Sequence, residues 1–244
     1  MRLSSSVYLI GSGLYGLSHK FDCSVYLVEC GDELIVIDAG AGCNPDKIIE
    51  NVVKDGLEPA KLSRLFLTHG HADHAGGAHY LRERYGVQVY IGEAEAEMVE
   101  QGDEVDLKLE VAKKSGFYSP EYKFTPCAIS VRLHHNDSIS IGSLVFKALH
   151  VPGHSRGSFC YLVDLSEGRA VFSGDTVFAD GVIGMLNCDG SELSDYRRYI
   201  HRLADRNIKM LFPGHRVFVL EDGQQHVDQA VESLGRLFLP RNFI

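Results

Sequence analysis

Within six positions the chain places three histidines and an aspartate: His69, His71, Asp73 and His74, in the run Thr68-His69-Gly70-His71-Ala72-Asp73-His74. Packing gains nothing from such crowding. Buried imidazoles each need a hydrogen-bond partner, and protonated ones repel one another. A divalent cation resolves both difficulties, because neutral imidazole and carboxylate are its ordinary ligands. The chemistry to expect is metal-assisted activation of water or of a carbonyl oxygen.

Three more positions share a property with this run: each sets a potential ligand next to glycine, just after an apolar stretch. His154 follows Leu144–Val151 through Pro152-Gly153, Asp175 follows Ala170–Phe172 through Ser173-Gly174, and His215 follows Met210–Phe212 through Pro213-Gly214. Strand ends are rigid mounts, and glycine lets the chain turn beside them. If the four ends converge, five imidazoles and two carboxylates surround one place, enough for two metal ions with an open position for water.

Together these segments resemble the signature motifs of the metallo-beta-lactamase superfamily: Thr68-His69-x-His71-x-Asp73-His74, Pro152-Gly153-His154-Ser155, Ser173-Gly174-Asp175-Thr176 and Pro213-Gly214-His215. Asp38, in Ile35-Val36-Ile37-Asp38-Ala39-Gly40, is similar to the first motif of that family. The resemblance runs from about Val25 to His215. It implies an α/β fold of the metallo-beta-lactamase type, an αββα sandwich of two mixed β-sheets with helices on the outer faces. It also implies that His69, His71 and His154 hold one metal, that Asp73, His74 and His215 hold a second, and that Asp175 bridges them. Asp38 is expected behind the site, orienting a histidine or its loop. The implied cofactors are two divalent ions, zinc first, with iron or manganese as the other candidates.

The reaction expected is hydrolysis of a small carbonyl compound (thioester, lactone, ester or lactam) by a hydroxide shared between two metals, with Asp73 accepting the proton of the bridging water from which it forms. Two alternatives stand beside it: a mononuclear iron persulfide dioxygenase using His69, His154 and Asp175, and a phosphodiesterase. Departures from the family's branches narrow the reading. His71 and the absence of a flavin domain argue against the redox flavodiiron branch. Asp175, where true beta-lactamases carry Cys or Ser, disfavours antibiotic hydrolysis. Phe178 stands where homoserine-lactone lactonases carry a tyrosine, so a hydroxyl from Tyr15, Tyr118 or Tyr122 would have to replace it. The glyoxalase II branch resembles the chain in Gly174-Asp175-Thr176. However, its anionic substrate leaves only Arg197, Arg198 and Arg216 as basic candidates. Substrate-binding candidates are Tyr15 and His19 in the glycine-punctuated loop before Val25, and Phe178 and Asn187 after the bridging aspartate.

The elements that must hold these residues follow from periodicity. Strands are expected at Val7–Ile10, Val25–Glu29, Leu34–Asp38, Arg64–Thr68, Val87–Ile91, Ile129–Leu133, Ser138–Ile141, Leu144–His150, Ser158–Val163, Arg169–Phe172 and Met210–Phe212. Asn44-Pro45 opens a helix to about Lys54. Further helices are expected at Ala75–Tyr85, Glu93–Gln101, Ser191–Arg206 and Gln225–Phe238. The polar stretch from 102 to 126, with Phe117, Tyr118, Tyr122 and Phe124, reads as an insertion: a surface excursion, a lid or a subunit contact. The length fits a single domain over 1–244.

Bulk properties exclude some functions. A formal charge of −9 argues against nucleic acid as a partner. No apolar run has the length of a membrane span, and the first ten residues lack the pattern of a secretory signal, so the expected location is the cytoplasm. Six scattered cysteines without a C-x-x-C pair point to free thiols. The expected partner is a small-molecule substrate, and the aromatic insertion is compatible with a homodimer.

Overall fold

The computed structural model describes residues 1–236 and 239–243. The chain forms two compact units, Met1–Arg132 and Leu133–Ile244. Each is built on its own mixed sheet.

The first sheet runs β1 (Val7–Gly11), β2 (Val25–Cys30), β3 (Glu33–Ile37), β4 (Leu62–Phe66), β5 (Gln88–Gly92) and β6 (Val131–Leu133), in that spatial order. β1, β2 and β3 are antiparallel neighbours, while β3, β4 and β5 run parallel. Parallel neighbours need crossovers, and helices supply them. Between β3 and β4 lies α1 (Pro45–Lys54), which starts on proline and buries Ile48, Ile49, Asn51 and Val52. The buried Asn51 amide donates to the carbonyls of Ile10 (2.8 Å) and Leu17 (2.9 Å), so a polar side chain ties the helix to the first loop.

Between β4 and β5 the expected helix Ala75–Tyr85 is two pieces, α2 (Ala72–Ala75) and α3 (Ala78–Tyr85). The break falls at Gly76-Gly77, where the backbone passes against the segment after β3. A Cβ on Gly77 would lie 2.1 Å from the Ala39 carbonyl oxygen. Then α4 (Glu93–Gln101) follows β5.

The 102–126 segment is not a solvated excursion. It contains α5 (Leu109–Lys114) and buries Leu107, Leu109, Tyr118 and Phe124 in the core of the first unit. Val105, Val111 and Phe117 stay exposed. The Tyr122 hydroxyl donates to the Ala41 carbonyl at 2.8 Å, fastening the segment beside the chain that leaves β3.

The second sheet has the order β11-β10-β9-β8-β7: β7 (Ser138–Ile141), β8 (Leu144–His150), β9 (Phe159–Leu165), β10 (Gly168–Gly174) and β11 (Met210–Pro213). Its pairings are antiparallel except β10 with β11. The crossover between those two carries α6 (Leu193–Tyr199) and a 3-10 turn (Ile200–Leu203), where one continuous helix Ser191–Arg206 was expected. The last helix, α7, spans Gly223–Gly235; its expected end at Phe238 lies outside the described residues. Tyr196, Ile200 and Leu203 pack with Val227, Ala230 and Leu234 in the second core. Cys23, Cys30, Cys43, Cys127 and Cys160 are free thiols. Among the described residues no helix is long and apolar enough to cross a membrane.

Candidate metal centre

In the first unit the donors hang from the carboxyl ends of the parallel strands, the usual place for ligands in such sheets. Asp38 is the residue after β3, in a left-handed conformation (φ 61°) that aspartate tolerates better than most residues. Its backbone N–H donates to the Phe66 carbonyl (2.9 Å), so the turn is stitched to β4. Its carboxylate then organises the histidine run. Oδ1 accepts the Thr68 backbone N–H at 2.7 Å, and Oδ2 accepts the Thr68 hydroxyl at 2.8 Å and His74 Nδ1 at 2.9 Å. The Thr68 hydroxyl in turn accepts from His69 Nδ1 at 3.1 Å.

With Nδ1 engaged as a donor on both rings, the basic nitrogen of each neutral imidazole is Nε2. The His69 ring centre is 4.0 Å from that of His74 and 4.6 Å from that of His71. His69 and His74 are buried, whereas His71 and Asp73 are half-buried.

Three further residues brace this run, and only the structure shows them. Buried Glu95, at the start of α4, accepts the Gly70 backbone N–H at 2.7 Å and holds the His69–His71 turn. Cys23 donates its backbone N–H to the Asp73 carbonyl (3.3 Å), and its thiol lies within 4.8 Å of the Asp38 and His74 donor atoms. Burial pushes that thiol up to about 12. Buried Asp22 accepts the Ala41 N–H at 2.8 Å and the His19 N–H at 3.0 Å, tying the first loop to the segment after β3. No local pattern marks any of the three, because each acts through a long-range backbone contact.

The second unit repeats the design. His154 follows β8 through Gly153, which admits no side chain: its φ is +147°, and a Cβ there would lie 2.4 Å from the Tyr196 ring. His154 Nδ1 donates to the Gly184 carbonyl at 2.6 Å. Asp175 and His215 follow the ends of the parallel pair β10 and β11, joined by the Gly214 N–H to the Gly174 carbonyl at 2.8 Å. The buried Tyr196 hydroxyl donates to the Asp175 carbonyl at 3.2 Å.

In both units basic nitrogens are turned towards carboxylate oxygens. His74 Nε2 is 3.7 Å from Asp73 Oδ2, His154 Nε2 is 3.6 Å from Asp175 Oδ2, and His215 Nε2 is 3.5 Å from the same oxygen. Lone pairs facing one another in a buried setting repel. A cation shared by each pair reverses the sign, and separations of this size suit two ligands each about 2.0–2.2 Å from one ion. The donor set therefore fits divalent metal, with Nδ1 of His69, His74 and His154 anchored as metal-binding histidines usually are.

The other candidate residues are placed as follows. Tyr15 is exposed and His19 half-buried, its ring 5.1 Å from Phe21. Phe178 is fully buried with its ring 4.9 Å from Phe243, which also stacks on His215 at 5.6 Å. Asn187 is exposed. Tyr118 and Tyr122 stack at 4.5 Å. Burial, with the Asp73 carboxylate nearby, holds both phenols well above their ordinary value.

Comparison with known proteins gives a consistent picture. The model of the metallo-beta-lactamase superfamily matches residues 20–215. The acyl-coenzyme A thioesterase MBLAC2 of Gallus gallus is 31% identical over 227 residues, covering 84% of this chain and 78% of that protein. An atrochrysone carboxyl ACP thioesterase of Aspergillus fumigatus is 24% identical, covering 94% of this chain and 62% of that protein. Among solved structures, the subclass B3 metallo-beta-lactamase BJP-1 of Bradyrhizobium japonicum has a TM-score of 0.74 at 20% identity, covering 97% of this chain and 90% of that one. This likeness shows the fold, the αββα class expected from the motifs.

Proposed function

The chain belongs to the metallo-beta-lactamase superfamily, and we propose that it is a dinuclear metal-dependent hydrolase of acyl thioesters. In this reading His69, His71 and His154 would hold one ion, Asp73, His74 and His215 would hold the other, and Asp175 would serve both. The observation that carries it is the opposition of histidine Nε2 and carboxylate oxygen in each unit, at 3.5–3.7 Å, with Nδ1 of His74 and His154 already engaged. Similarity to two kinds of thioesterase supports the thioester among the broader set of carbonyl substrates.

When bound, two such ions supply a hydroxide at neutral pH and polarise the substrate carbonyl. The protein's own groups do the rest. Asp38 and Thr68 fix the direction of the His69 and His74 rings. The Gly184 carbonyl and Tyr196 fix His154 and the backbone of Asp175. Asp73, half-buried, would hold the proton lost as water becomes the hydroxide nucleophile and return it to the departing thiolate. The test is hydrolysis by the purified chain of a thioester, a lactone, an ester and a lactam of matched acyl group. The thioester should be turned over fastest by at least ten-fold; a preference for any other member contradicts the substrate assignment.

A further inference from the structure

The second unit carries a group of basic side chains that the hydrolytic chemistry does not use. Tyr199, at the end of α6, is half-buried, with the Arg202 guanidinium 4.4 Å and the Arg198 guanidinium 5.3 Å from its ring centre. Arg202 donates to the His150 carbonyl, and Arg206 Nε donates to the Arg202 carbonyl at 2.8 Å. The His150 N–H donates to His135 Nδ1 at 3.3 Å, and His150 Nε2 donates to the Arg156 carbonyl at 2.8 Å. Arg198, Arg202, Arg206, His135 and His150 are thus neighbours, and the Arg156 main chain touches His150.

Acids do not neutralise this surface. Among the described residues no ion pair joins Arg156, Arg198, Arg202, Arg206 or Lys147 to a carboxylate, although Glu192, Asp195 and Asp205 lie in the same stretch of chain. Elsewhere Arg64, Arg132 and Arg169 are each paired with an acid. After burial, the groups that lower the His135 pKa are Arg202, His150, Arg206 and Lys147, all basic. Burial and the neighbouring Arg198 also hold Arg202 below its ordinary value. Such a grouping of bases without close acidic partners stands out on a chain of net charge −9. Arginine-rich composition favours phosphate, which guanidinium binds through paired hydrogen bonds.

Arg156 also links this group to the loops that carry the donors of its unit. Arg156 lies two residues beyond His154, and a Cβ on Gly190 would meet its Cγ at 3.3 Å, so Arg156 rests on the loop that follows Asp175.

We propose that this arginine surface binds the phosphate groups of a nucleotide-type thioester such as an acyl-coenzyme A. The inference rests on the thioester reading above for its substrate, and its test separates the two.

The binding arm uses desulfo-coenzyme A, which has the phosphates and no thioester, with the metal-loaded protein. The double variant Arg156→Glu/Arg198→Glu should weaken binding about ten-fold or more, as expected for lost charge-assisted hydrogen bonds. Both side chains are exposed, and Arg198→Ala alone should show a smaller shift in the same direction if the double variant folds poorly. The kinetic arm compares an acyl-coenzyme A with the same acyl group on N-acetylcysteamine, which carries no phosphate. The ratio of their kcat/KM values should fall about ten-fold in the variant. Three results would overturn the proposal: no binding of desulfo-coenzyme A by the wild type, binding indifferent to the substitutions, or an equal loss on both thioesters. Sensitivity of turnover only when the acyl group rides on an acidic carrier protein would overturn it in favour of a protein partner. If neither thioester is hydrolysed, the functional reading fails while the binding arm still decides this one.

Discussion

Asp38 shows how one side chain can set the chemistry of others. Its two oxygens take hydrogen bonds from the Thr68 backbone, the Thr68 hydroxyl and His74 Nδ1, and through Thr68 it reaches His69. Asp38→Ala should therefore lower metal affinity by about 10–100-fold, measured by competition with a chromophoric chelator; unaltered affinity would deny it an orienting role. The thiols make a second residue-scale prediction. Burial raises Cys23, Cys30 and Cys160 to about 12 and Cys127 to about 11, so none forms thiolate near pH 8. Mass spectrometry after brief alkylation should find label on exposed Cys43 and half-buried Cys188, and on the other four only after unfolding. Rapid labelling of Cys23 in the native protein would show that its pocket opens.

At the scale of elements, the strands and the order of the motifs were legible because apolar runs ending in Gly-His or Gly-Asp are a strong local signal. The fold class followed from the resemblance of those motifs to the metallo-beta-lactamase superfamily. What the sequence hid was long-range. The pair Gly76-Gly77 reads as tolerable within a helix, yet the helix breaks there because the Ala39 carbonyl occupies the space a side chain would need. Gly77→Ala should cost about 3 kcal/mol, a fall in Tm of about 6–12 °C for a chain of this size; calorimetry showing a change under about 2 °C would mean that the loops yield easily. The 102–126 segment misleads for a related reason. Its buried positions Leu107, Leu109, Tyr118 and Phe124 follow no helical or strand period, so polar neighbours conceal a stretch that completes the first core. Glu95 escaped notice because a glutamate opening a surface helix is unremarkable until its partner, the Gly70 N–H, is known.

At the scale of the whole molecule, the donors divide between the two units, four histidine-run residues in the first and His154, Asp175 and His215 in the second. Each set is pre-oriented by hydrogen bonds within its own unit, so removing metal should leave secondary structure in place while increasing repulsion among facing lone pairs. Chelation is accordingly expected to lower Tm without loss of the far-ultraviolet circular dichroism signal at room temperature. Collapse of that signal on chelation would mean that metal, not the cores, holds the units folded.

We propose above a two-metal thioester hydrolase. It is tested most directly by stripping the purified chain with a chelator, adding zinc back stepwise, and following thioester hydrolysis together with bound metal. The stripped protein should show no turnover and recover fully at two equivalents per chain. Turnover that survives complete removal of metal would contradict it, as would maximal activity with a single iron accompanied by oxygen consumption.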